Sequence, residues 1–118
     1  MASLLALLDI SVAKDRRMFR RRAILHFSEV HFTEVKTVDI DPHGINVMHD
    51  SPMTIGEHCS IAFNVTVDRQ LMPLRLKTTV ISCVLAGQQG FRIYLTFAKH
   101  LGEAERRHVR KIINLDVY

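Results

Sequence analysis

The chain is 118 residues long, 47% apolar and 24% charged, the balance of one soluble globular domain with little room for a second. Only 7% of the residues are aromatic and none is Trp, and the formal net charge is +4. That composition argues against an aromatic-lined cage or a base-stacking platform, and an excess of cations suits an anionic partner.

Residues 1–13 contain the apolar stretch Ser3-Leu4-Leu5-Ala6-Leu7-Leu8. It is too short for a bilayer span, which takes about 20 apolar residues. Its positive charge follows the apolar run instead of preceding it, unlike a signal peptide. The expectation is no transmembrane segment, a cytoplasmic protein, and a segment that docks on a hydrophobic surface, its own or a partner's.

Residues 14–22 hold Lys14, Arg16, Arg17, Arg20, Arg21 and Arg22, opposed only by Asp15. Such a cluster reads as an anion site. The preference for arginine is informative, because its planar fork makes paired hydrogen bonds that solubility alone would not require.

Residues 23–99 read as β structure. Cys59, Ile61, Phe63, Val65 and Val67 alternate with Ser60, Ala62, Asn64 and Thr66, and Phe91, Ile93, Leu95 and Phe97 alternate with Arg92, Tyr94 and Thr96. The run Leu74–Leu85 has mixed alternation, which predicts a partly two-sided strand or a bulge. Ile24–Phe32, Glu34–Ile40 and Ile45–His49 are shorter strand candidates. Asp41-Pro42-His43-Gly44, Asp50-Ser51-Pro52 and Ala86-Gly87-Gln88-Gln89-Gly90 are turn signals, the glycine after Pro42 suiting a positive φ. The class is mainly β. About six short strands hide their edges best by closing into a small antiparallel barrel.

Residues 101–114 change period. Acidic residues come early and basic ones late, and Leu101, His108, Val109, Ile112 and Ile113 recur at helical spacing. This predicts one amphipathic C-terminal helix. The whole of 1–118 is then one domain.

Catalytic and metal motifs are missing. None of the seven histidines forms H-E-x-x-H or a zinc spacing, and there is no nucleophile elbow or Walker loop. Cys59 and Cys83 lie in apolar runs and read as buried, reduced thiols. The expectation is a protein that is not an enzyme and carries no metal or cofactor.

Two segments carry a resemblance. Arg16-Arg17-Met18-Phe19-Arg20-Arg21 contains Arg-Arg-x-x-x-Arg, and Asp39-Ile40-Asp41-Pro42-His43-Gly44 has an acidic residue five positions before a glycine. Together they resemble the signature of the PilZ family, an R-x-x-x-R segment followed by a [D/N]-x-S-x-x-G turn. The likeness in segment order runs from Lys14 to the end. It implies a PilZ-like six-stranded barrel with a C-terminal helix and a flexible basic N-terminal segment, binding the bacterial second messenger cyclic di-GMP.

On that resemblance Arg17 and Arg21 take the places of the paired arginines, with Arg16 preceding them; Arg16 with Arg20 also satisfies the spacing. These residues would grip phosphates and guanine edges, Asp39 would accept from a guanine N–H, and Gly44 would leave room for the ligand or the turn. Asp41 stands where the pattern has serine. As a carboxylate it donates nothing, and near a dianionic ligand it predicts a repulsion on the order of 1 kcal/mol, hence weaker binding or none; it could still cap the turn.

The leading expectation is therefore a non-catalytic receptor that signals to a downstream protein by ordering its basic segment on the ligand, acting as monomer or homodimer. The alternative is a degenerate PilZ-type adaptor without nucleotide, working through protein contacts in motility or exopolysaccharide control. A third reading, an OB-like barrel for single-stranded nucleic acid, is disfavoured by the paucity of exposed aromatics, so no nucleic acid polymer is expected as partner.

Overall fold

A computed structural model describes residues 16–114; the apolar stretch Leu4–Leu8 lies outside them. The elements in order are β1 (Arg17–Met18), β2 (Arg22–His26), β3 (Phe32–Asp41), β4 (Gly44–His49), β5 (His58–Val67), β6 (Gln70–Leu85), β7 (Phe91–Phe97) and α1 (Glu103–Asn114). Every strand pairing is antiparallel. Strands β3-β2-β5-β6-β7-β4 close on themselves through β3–β4, giving a six-stranded barrel with β1 outside the ring. Closure removes the exposed edges a short open sheet would present.

The core follows the alternation. Ala23 and Leu25, Ile61, Phe63 and Val65, Leu74, Leu76 and Val80, and Ile93 and Leu95 all point inward and are buried. Cys59 is buried and Cys83 half-buried, both free thiols; burial raises the Cys59 pKa, against a lowering by its bond to Thr78. Helix α1 adds Val109, Ile112 and Ile113 to this core. Its start is secured by Glu105, whose Oε1 accepts from the Gly102 amide at 3.2 Å, in the manner of a capping box.

Two bulges decide which residues reach the outer wall. In β3, Val35 and Thr37 face inward, and strict alternation would send Asp39 and Asp41 the same way. The register slips between Thr37 and Asp39, so Ile40 turns inward and both aspartates face outward. In β6 a second slip between Val80 and Ser82 leaves Ile81 as the extra residue and turns Ser82 outward, opposite Tyr94. Such insertions re-aim side chains next to functional sites. The mixed alternation of Leu74–Leu85 is this bulge within one long strand.

Two expectations change. Ile24–Phe32 is not one strand: the chain turns over Phe27–His31, where Phe27 N–H donates to the His31 carbonyl at 2.9 Å, and Phe32 opens β3. His26 and His31 flank this turn. The basic segment, over its described part, is tied down. Arg17 and Met18 pair with Ile40 and Asp39, and Arg22 pairs with Lys36, so β1 and β2 run along the same side of β3, broken at Phe19–Arg21. Phe19 supplies the anchor. Its ring is buried and meets Phe63 edge-on at 5.2 Å, and its amide donates to Val38 O at 3.0 Å.

Candidate functional site on the outer wall

Asp41 ends β3 and is fully buried. Its Oδ1 accepts the amides of His43 at 2.6 Å and Gly44 at 2.9 Å, and the Tyr94 hydroxyl donates to Oδ2 at 3.0 Å. The carboxylate thus caps its own turn, and its charge is met by donors that belong to the fold. Burial first, then the neighbouring Asp41 carboxylate, push the Tyr94 pKa far above the ordinary phenol value, which keeps the hydroxyl a donor.

Asp39, two residues earlier on the same face, has different company. Arg92 Nη2 donates to its Oδ2 at 3.0 Å, Arg16 Nε lies 3.9 Å from Oδ1, and Asn46 Nδ2 donates to Oδ1 at 2.8 Å. The carboxylate is 11% exposed, while the Arg16 and Arg92 side chains are 41% and 45% exposed. A nearly buried acceptor is therefore held by two cations that reach solvent. Arg16, Arg92 and Asn46, with Asp41, Tyr94, His43 and Ser82, line a cavity of about 450 Å³; the Asp39 carboxylate lies beneath its Arg16, Arg92 and Asn46 side.

Gly44 has a packing reason for being glycine. A Cβ there would overlap the Leu95 carbonyl and the Tyr94 ring. The expected positive φ is not the cause: the glycines with positive φ are Gly56, Gly87 and Gly90. Without Gly44, β4 could not sit close enough to β7 for Tyr94 to reach Asp41.

The arginines separate. Arg16 meets Asp39. Arg17, in β1, is half-buried opposite Ile40. Arg20 is exposed. Arg21 turns toward the neighbouring wall, its guanidinium 4.9 Å above the Phe19 ring and its Nη1 3.4 Å from Asn64 O; its buried Nε has no hydrogen-bond partner among the described residues. The structure brings Arg16, Asp39, Asp41 and Gly44 to one place and leaves Arg17, Arg20 and Arg21 outside the cavity. Sequence reasoning missed Arg92, Tyr94 and Asn46. Alternation marks Arg92 and Tyr94 as outward-facing, but only the β4–β7 register, which sets Asn46 opposite Tyr94, joins them to the turn.

No family model and no curated protein matches the chain. Solved structures do. The Bacillus subtilis inhibitor of motility, MotI/DgrA, superposes with a TM-score of 0.70 at 10% identity, over 83% of this chain and 47% of that one; the chain spans about half the length of MotI/DgrA. The PilZ domain of CeSA from a cellulose-synthesizing bacterium gives 0.58 at 14% identity, over 83% and 93% of the two chains. The PilZ domain of YcgR from Escherichia coli, solved with c-di-GMP, gives 0.56 at 15% identity, over 82% and 87%. The fold of this chain is that of a PilZ domain.

Proposed function

We propose that this PilZ-fold chain is a non-catalytic receptor for cyclic di-GMP, bound on the outer wall of the barrel over β3, β4 and β7. The observation that carries the reading is the Asp39 carboxylate held by two solvent-reaching guanidiniums, where Arg16 of the basic segment meets the Asp39–Gly44 turn. YcgR, a neighbour in fold, was solved with this nucleotide.

The chemistry is an exchange of partners. A guanine edge offers N–H donors that an acceptor-only carboxylate takes up, while Arg16 and Arg92 turn to guanine O6 and N7 or to phosphate oxygens, which match their fork. The exchange costs little. Ion pairs whose cationic arms reach solvent contribute about 0–1 kcal/mol, whereas charge-assisted bonds to a guanidinium contribute about 1.5–3 kcal/mol. Asp41 does not block it, since that carboxylate is engaged with the turn amides and Tyr94. Arg17, Arg20 and Arg21 then draw in over the phosphates, and the re-ordered basic segment presents a changed surface to a downstream protein.

A second reading has its own observation. Asp39 is already satisfied by Arg16, Arg92 and Asn46, and Asp41 offers no hydroxyl donor where the family pattern has serine. Both favour an adaptor that binds no nucleotide and works by protein contacts in motility or exopolysaccharide control, as the likeness to an inhibitor of motility and to the CeSA domain suggests.

Calorimetric titration separates the two. The receptor reading expects saturable heat with cyclic di-GMP, none with GTP, and binding weakened by about tenfold or more in Arg16→Ala and Arg21→Ala. No heat from folded protein at millimolar ligand would leave the adaptor.

A further inference from the structure

Across the barrel from Asp39, the wall formed by β2, β5 and β6 holds a second cluster. Register sets His26 opposite Ser60 and Ser60 opposite Lys77, with Arg75 one pleat further along β6 and His58 opposite Thr79. The loop between β7 and α1 folds over this wall, the Ala98 amide donating to Lys77 O at 2.9 Å, and brings Lys99 and His100. Together they surround a cavity of about 620 Å³, a size suited to a small-molecule ligand.

The charge there is one-sided. Arg75, Lys77 and Lys99 make no ion pair among the described residues. The one carboxylate lining the cavity among those residues is Glu29, exposed on the Phe27–His31 turn. Composition does not force this, because the chain has twelve acidic residues to set against sixteen basic ones. Cations gathered without partners repel one another, and the repulsion is relieved when an anion enters. A guanidinium fork, two ammonium groups and three imidazoles offer donors from three strands and a loop, which suits the several oxygens of a phosphate group. Phe27 and Ala98 add an apolar contact for the rest of a ligand.

We propose that this cavity is a second anion site, taking a small soluble phosphate compound, on the wall opposite the Asp39 groove. It stands independently of the cyclic di-GMP reading, since it shares no residue with that groove.

The probe is inorganic pyrophosphate, followed by amide NMR shifts in the full chain at constant ionic strength. Hexaglutamate serves as a comparison polyanion. The expected result is saturable shifts centred on Arg75, Lys77 and Lys99, with a Kd on the order of 0.1–1 mM. Lys77→Ala and Arg75→Ala each weaken binding about tenfold, while Arg92→Ala leaves it unchanged. Both substituted side chains face outward, and an unchanged melting temperature verifies folding. Linear, unsaturated shifts, shifts centred on Arg16 and Arg92, or a response to hexaglutamate as strong as to pyrophosphate would each overturn the proposal.

Discussion

Asp39 and Asp41 are the same residue type on the same outward face of β3, two positions apart, yet their partners differ in kind. Asp41, at the turn, is surrounded by donors that cannot leave: two backbone amides and the hydroxyl of Tyr94. Asp39, beneath the arginines of the groove, is held by Asn46 and by two arginines whose side chains extend into solvent. A carboxylate held by backbone amides is fixed in the fold, whereas one held by solvent-reaching side chains can exchange its partners. Exchange of Arg16 and Arg92 is easy because water solvates a released guanidinium. Release of the turn amides would leave buried donors unpaired.

The comparison breaks most sharply at Asp41. Asp41→Ala strips the acceptor from the two amides and from Tyr94, and it should cost about 3 kcal/mol in urea unfolding. Asp41→Asn keeps a carbonyl oxygen and should cost about half as much. Next is Gly44→Ala, where overlap with the Leu95 carbonyl and Tyr94 ring forces β4 away from β7. A loss of about 2 kcal/mol is expected from such overpacking, read in the same assay.

Tyr94→Phe sharpens the picture at smaller scale, with about 1 kcal/mol lost at neutral pH. It also has a pH signature. The native phenol pKa is raised by burial and by Asp41, so native Tyr94 holds its proton where the unfolded chain has released it. The stability it adds is fully present below about pH 10, the unfolded value, and declines as pH rises beyond it. Denaturant melts from pH 9 upward should show a steeper fall in wild type than in Tyr94→Phe. A comparable loss, about 1 kcal/mol, belongs to Asp39→Ala: its arginine partners already reach water, and the cost is the buried Asn46 amide left without its acceptor.

Much of this architecture is legible in the sequence because it is periodic. Cys59–Val67 and Phe91–Phe97 declare their inner faces residue by residue, and the helix declares its apolar stripe through Val109, Ile112 and Ile113. The turn at Phe27–His31 is not legible, since it contains no Gly, Pro, Asn or Asp to mark it. The β5–β6 turn is half marked: Asp68 and Arg69 adopt positive φ, a conformation that suits the Asp but that the Arg does not announce. At the site, Arg16, Asp39, Asp41 and Gly44 are visible as local spacings. Arg92 and Tyr94 lie 53 positions from Asp39 and Asp41, and only the register of a closed barrel sets them there. The outward turn of both aspartates depends on the bulge at Val38, which no residue type in Thr37-Val38-Asp39 signals.

The proposed receptor function has Asp39 accepting from the ligand and Asp41 serving the turn. Calorimetric titration of cyclic di-GMP into Asp39→Ala and Asp41→Asn, both shown to be folded, tests it most directly. The account predicts binding weakened by about tenfold or more in Asp39→Ala and held within about threefold of wild type in Asp41→Asn. Equal binding by wild type and Asp39→Ala, or loss confined to Asp41→Asn, would contradict it.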